Sequence, residues 1–190
     1  MYHYTKFITA IEHILPTMKL KSNSLKNMND PRENQLWAFP GRNVNYPEIY
    51  PDTYSKECHI KHQYKLGDEI RKSVQAISFV QNKTGKGFMN EMIWAHYGEN
   101  HTGICLEIDE QVFCEENNIT DEKLMSITYE NVGKPHITWD PKCSKKENIS
   151  RISHRYYKEL YLTKSTYWEK EEEKRLIFFD NFDCKNRYFK

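Results

Sequence analysis

The chain has 190 residues, 38% of them hydrophobic and 29% charged, a length that buries a core without disulfide or metal staples. Lys plus Arg number 28 and Asp plus Glu 27, so net charge gives no global pull toward nucleic acid or membrane. With 14% aromatic residues and only 7 Gly and 7 Pro, the composition excludes a low-complexity or disordered chain, and no stretch approaches the roughly 18 apolar residues of a membrane span.

The first residues lack the basic start and apolar run of a signal peptide. Five cysteines without a CxxC pair read as reduced thiols in a cytoplasmic protein. Cys58, His59 and His62 have ligand spacing on a helix, but no second cluster completes a tetrahedral set, so no metal is expected.

In chain order, Tyr2 to Thr5 reads as a strand. Phe7, Ile8, Ile11, Ile14 and Leu15 follow as the apolar stripe of a helix, capped by Thr5 and ended by Pro16. Met18 to Lys21 suits a second strand. Asn29-Asp30-Pro31 is a turn signal, and residues 34 to 67 read as a long loop or irregular insertion over a pocket. Asp68 to Gln75 fits a short helix or strand, and Ala76 to Val80 a buried strand. Phe88 to Tyr97 reads as a helix closed by Gly98. Thr102 to Asp109 alternates clearly as a strand, and Lys123 to Glu130 is another, with Met125, Ile127 and Tyr129 on one face. Residues 131 to 148 read as an exposed linker, Ile149 to Leu162 as a helix and Arg175 to Phe179 as a strand. The interleaving predicts one α+β domain over residues 1 to 190, with a central mixed or antiparallel sheet.

Three constellations can carry chemistry. In Trp168-Glu169-Lys170-Glu171-Glu172-Glu173-Lys174-Arg175, a strand period puts Glu171, Glu173 and Arg175 on one face. Two carboxylates beside a guanidinium can hold one acid ionised and oriented for a ribose hydroxyl or a developing cation, whereas a charge run as such is usually a solvated face. A one-residue register slip decides which of Glu171 and Glu173 faces a pocket. In Trp94-Ala95-His96-Tyr97, with His101 and Gly103 following, Trp94 and Tyr97 share a helix face, and His96 can bind an anion or move a proton. The plain alternative is a core Trp and Tyr with a His bonded to a carbonyl. In Tyr2-His3-Tyr4-Thr5, His3 at a strand-to-helix junction can reach a sugar hydroxyl beside a stacking Tyr, or satisfy neighbouring backbone.

Taken in order, these segments resemble an uncharacterised, mainly bacterial family, domain of unknown function 2971. The matching features are Tyr2-His3-Tyr4-Thr5, Asn29-Asp30-Pro31 with Glu33, Ile77-Ser78-Phe79, Trp94-Ala95-His96-Tyr97, His101, Gly103, the strand Ile104 to Ile108 and Tyr129. Leu162-Thr163-Lys164-Ser165 and Trp168, Glu171, Glu173 and Arg175 complete them. Lys170 and Lys174 depart from the aromatic residues usual at those two positions. More distantly, the chain is similar to ADP-ribosyltransferases that begin on a histidine strand. That resemblance implies NAD as substrate, with His3 on a ribose and Glu171 or Glu173 as the late glutamate. Arg175 completes the catalytic set, and Tyr2, Tyr4, Thr5, Ser78, Trp94, His96, Tyr97 and His101 form the nucleotide-binding one. The function so implied is an ADP-ribosyltransferase or NAD glycohydrolase, of the toxin or phage-defence kind, with a protein or nucleic-acid acceptor and no membrane partner. Two other readings are a non-catalytic nucleotide- or partner-binding sensor, and a nuclease or phosphoesterase built on His96, His101 and the acidic pair.

Overall fold

The computed structural model describes residues 1–27, 59–83, 85–120, 122–131, 133, 135–179 and 187–190. Its centre is an antiparallel pair, β4 (Val74–Val80) with β9 (Glu173–Phe179), matched from Val74↔Phe179 to Val80↔Glu173. Both strands are buried along most of their length because both sheet faces are covered. Directly opposed residues of an antiparallel pair share a face. Thus Val74, Ala76, Ile177 and Phe179 pack into one apolar cluster, and Ile77, Phe79, Leu176 and Phe178 into another.

The first cluster is covered by α2 (His59–Lys72), which contributes Leu66 and Ile70, by α5 (Lys145–Arg155) and by α6 (Tyr157–Tyr161). Helix α5 starts at Ser144, whose hydroxyl accepts from the Glu147 N–H while Glu147 accepts from the Ser144 N–H, a reciprocal cap that satisfies two otherwise unpaired donors. Behind this cap the side chain of buried Asn148 donates to the carbonyl of Asp140 and accepts from its N–H. The second cluster is closed by Phe113 of α4 (Glu110–Asn117) and by β2 (Leu20–Lys21) paired with β10 (Tyr188–Phe189).

On the other flank, β1 (Tyr2–Thr5) pairs along its length with β5 (Ile104–Glu107). The sheet order is β5-β1-β4-β9-β6, with β3 (Asn23–Ser24) also on β4 and β6 (Leu124–Ser126) on β9. A separate parallel pair joins β7 (Thr128–Tyr129) to β8 (Thr163–Lys164). The architecture is α+β with a mainly antiparallel sheet, as the interleaved pattern predicts. Among the described residues no helix is long and apolar enough to cross a membrane.

Several local expectations are corrected. The insertion expected over 34–67 lies outside the described residues up to residue 58, as do Asn29-Asp30-Pro31, Glu33 and Cys58, and from His59 the chain is helical. Residues 135–148 are not a plain linker: Ile137 and Trp139 enter the core, drawn by the apolar cluster under α5. The strand expected over 123–130 divides into β6 and β7, which join different sheets. Thr5 does not cap the first helix; Lys6 stands at that position without a side-chain bond. That helix, α1, runs through residues 7–17 with a π-helical stretch at Ala10–Ile14, and it turns Phe7, Ile8, Ile11 and Leu15 outward instead of into the core. Pro16 lies inside its last turn, and the run stops where Met18 takes a left-handed conformation.

Candidate functional site: a cavity at a fork in the sheet

Strand β1 meets β4 at Tyr2↔Val80 alone, and β3 meets it at Asn23↔Ala76 and Ser24↔Gln75. Neither strand pairs with Ile77–Phe79, so the sheet forks there. Alternation along β4 aims the Ser78 carbonyl into the fork. The His3 ring fills the place of the lost ladder, its Nδ1–H donating to that carbonyl at 3.0 Å. Burial, only partly opposed by this bond, lowers the His3 pKa, so the ring stays neutral. With the proton on Nδ1, Nε2 is an acceptor.

The fork opens into a cavity of about 770 Å³, within the usual range for small-molecule sites. Its walls include Tyr2, His3, Tyr4 and Thr5 of β1, Ser78 of β4 and Tyr97, and its floor is Lys164, Glu171, Glu173 and Arg175. All four floor residues are buried. Arg175 is among the largest fully buried side chains of the described residues; its Nε and Nη2 donate to Glu173 at 2.8 and 3.0 Å, and Nη1 donates to the Tyr161 carbonyl at 2.9 Å. Lys164 Nζ stands 2.7 Å from both Glu171 and Glu173. Tyr97 donates its hydroxyl hydrogen to Glu171 at 2.9 Å, and the Glu173 N–H donates to the Tyr129 hydroxyl at 2.8 Å. The β7–β8 pairing aligns Tyr129 with Lys164, which is how both reach the end of β9 together.

The two carboxylates differ. Burial pushes Glu173 up, but the charges of Arg175 and Lys164 outweigh it and hold that carboxyl low, at about 2. Burial also pushes Glu171 up; Lys164 opposes this, the charge of Glu173 adds to it, and the net shift is upward. Burial beside these carboxylates likewise raises Tyr97 and Tyr129, so both phenols stay protonated. Glu173 is thus a fixed anion. Of the pair, Glu171 is the one shifted toward its protonated form.

Glu171 does not arrive on the strand, as the period-two reading expects. It ends a 3-10 turn (Thr166–Glu171), and Glu172, at φ 47°, swings the chain into β9. A non-glycine residue in that conformation costs about 1 kcal/mol. The Lys83 N–H to the Glu172 carboxylate and the Gln81 N–H to its carbonyl help hold the turn.

Of the residues expected to form the site, His3, Tyr2, Tyr4, Thr5, Ser78, Tyr97, Glu171, Glu173 and Arg175 meet at this cavity, and Trp94, His96 and His101 do not line it. Trp94 packs edge-on against Tyr4 at 4.9 Å and donates its indole N–H to the Phe88 carbonyl. His96 lies 5.5 Å from the Trp168 ring, and exposed His101 occupies a left-handed turn. Lys164 and Tyr129 were not among the expected site residues. Both fall within matched motifs, but nothing in their spacing couples them to Glu173. Among the described residues no group of three or more His, Cys, Asp or Glu could hold a metal ion.

Fold and site together define an α+β protein with a forked-sheet cavity floored by a buried four-charge network. A family model described as protein of unknown function, DUF2971, matches residues 93–176, less than half of the chain but a stretch carrying all four floor residues and Tyr97. The match supports the family expected from the motifs and brings no activity with it. No curated protein and no solved structure matches the chain.

Proposed function

We propose that the protein cleaves the N-glycosidic bond of NAD, as an ADP-ribosyltransferase or NAD glycohydrolase. The observation that carries this reading is Glu171, a carboxylate with a raised pKa, held by Tyr97 and Lys164 in the same cavity as the neutral His3. In the reaction the bond between ribose C1′ and the nicotinamide nitrogen breaks, and its electron pair leaves with nicotinamide. The sugar left behind has oxocarbenium character, which a placed carboxylate stabilises. Water or an acceptor nucleophile then bonds to C1′, and its proton passes to Glu171. His3 Nε2 accepts from a ribose hydroxyl. Glu173, Arg175 and Lys164 act through Glu171 by fixing its position and charge.

The test is nicotinamide release from NAD, alone and with cell lysate. Release by wild type that falls at least ~100-fold in Glu171→Gln, the usual scale for losing an acid-base group, supports the reading. No release from folded protein under either condition defeats it. A second reading, nucleotide binding without turnover, draws on the mutual neutralisation of the floor charges: Lys164 and Arg175 already offset Glu171 and Glu173. It predicts a bound nucleotide with no nicotinamide released. The nuclease reading needs His96 and His101 beside the acidic pair, and the cavity lining includes neither.

A further inference from the structure

We propose that Lys19 and Lys21 form an anion subsite at the α1–β2 side of the cavity, taking the diphosphate of a bound nucleotide. The inference rests on reading the cavity as a nucleotide site and adds where the ligand's charge is held. Leu20 is buried in the core, and alternate residues of an extended chain project to opposite sides, so Lys19 and Lys21 share the side away from it. Both line the cavity. Their Cα atoms stand about 6.6 Å apart along an extended chain. That spacing lets one ammonium meet each phosphoryl group of a diphosphate.

Charge balance points the same way. At the floor, Glu171 and Glu173 offset Lys164 and Arg175. Among the described residues, the other formally charged ones on the lining are Lys19, Lys21 and Glu12, which leaves the described lining net positive. Neither lysine forms a salt bridge among the described residues. Lysines serve phosphate as point charges, without the fixed geometry that arginine would impose. The pairing of β2 with β10 sets Tyr188 opposite Lys21; Tyr188 also lines the cavity and is 59% exposed, which gives a base a ring to stack on. The unlike charge is Glu12 of α1, which repels an anion placed there.

Calorimetric titration with ADP and with adenosine tests the subsite without relying on turnover. Wild type is expected to bind ADP at least tenfold more tightly than adenosine, with affinity that falls as salt rises. Lys19→Ala/Lys21→Ala is expected to bring ADP down to the adenosine level, Lys19→Arg/Lys21→Arg to retain the difference, and Glu12→Gln to tighten ADP a fewfold. Circular dichroism confirms folding of each variant. The proposal is overturned if wild type binds ADP no better than adenosine, if it binds no ADP, or if the double alanine variant binds ADP as wild type does. The catalytic reading stands or falls separately: nicotinamide release without ADP affinity removes the subsite alone, and ADP affinity without release removes the reaction alone.

Discussion

The two sides of the cavity are built on opposite principles. The floor, on β8, the Thr166–Glu171 turn and β9, holds four charged side chains so tightly bonded to one another that Arg175 is 1% exposed. The α1–β2 side presents the long, exposed side chains of Lys19, just before β2, and Lys21, within it. Buried charges are tolerated only when paired and hydrogen-bonded, so the floor is rigid by necessity. Exposed lysines keep their freedom and adjust to a ligand. Chemistry that needs a fixed carboxylate suits the first side, and capture of a charged, variable group suits the second.

The largest effect that would test this contrast is Arg175→Met. It leaves the buried Glu173 carboxylate to Lys164, which Glu171 shares, and unfolding in urea should show a loss of about 3–5 kcal/mol, the range for breaking a buried pair. A loss under about 1 kcal/mol would show that the floor is not locked.

Next come the two glutamates compared in parallel. Glu173 has a folded pKa below its ordinary 4.5, so its contribution is full above that pH and disappears as pH falls toward about 2. Glu171 is shifted the other way, so its ionisation costs stability as pH rises from 4.5 through the raised value. Glu173→Gln should therefore lower stability at pH 7 by about 2 kcal/mol or more. Glu171→Gln should leave it unchanged or raise it by up to about 1 kcal/mol, and flatten the decline just above pH 4.5. Equal losses in both variants would erase the distinction between the carboxyl held low and the one shifted up.

Gly103→Ala probes the seam that carries His3. A Cβ there would lie 2.4 Å from the Thr5 carbonyl oxygen and 2.9 Å from that of Gly98, backbone atoms that cannot swing aside. A cost of about 1–3 kcal/mol in thermal unfolding is expected. Nicotinamide release should weaken with it as β1 shifts; a variant with wild-type stability would place the slack in β1 itself. Smallest is Lys19→Ala/Lys21→Ala, whose stability should stay within about 0.5 kcal/mol of wild type in the same melt, as for surface residues without special contacts. A larger loss would show that these lysines hold the fold.

Much of the fold is legible because its signals are local. The apolar core of β4 and Gly98 at the end of α3 (Glu91–Tyr97) can each be read from a few neighbouring residues, whereas the helix expected from Phe88 starts later, because Gly87–Met89 forms a separate 3-10 turn and Asn90 caps α3. Asn90 accepts from the Ile93 N–H, and a Cβ on Gly98 would strike the Trp94 ring at 2.4 Å. Helix α1 misleads for a physical reason. Its stripe has helical spacing, but the π-helical stretch changes the phase, and Thr9, Glu12, His13, Ile14 and Thr17 turn to the cavity. A hydrophobic pattern says which residues share a face, not which face a cavity will claim.

The site divides in the same way. Glu171, Glu173 and Arg175 form a short motif whose charges suggest mutual contact, and His3 stands at a junction any reader of the first strand would notice. Lys164 and Tyr129 join them through a parallel pairing of two-residue strands, which leaves no periodic trace. The sequence by itself determined the α+β class, the sheet's central strands and the residue types that can build a charged site. Tertiary structure alone decided that the sheet forks at Ser78, that His3 closes the fork, and that burial shifts Glu171 up while Glu173 is held low. Those outcomes depend on burial and on contacts between distant segments, such as Tyr97 with Glu171, 74 residues apart, and His3 with Ser78, 75 residues apart, and a local pattern cannot encode them.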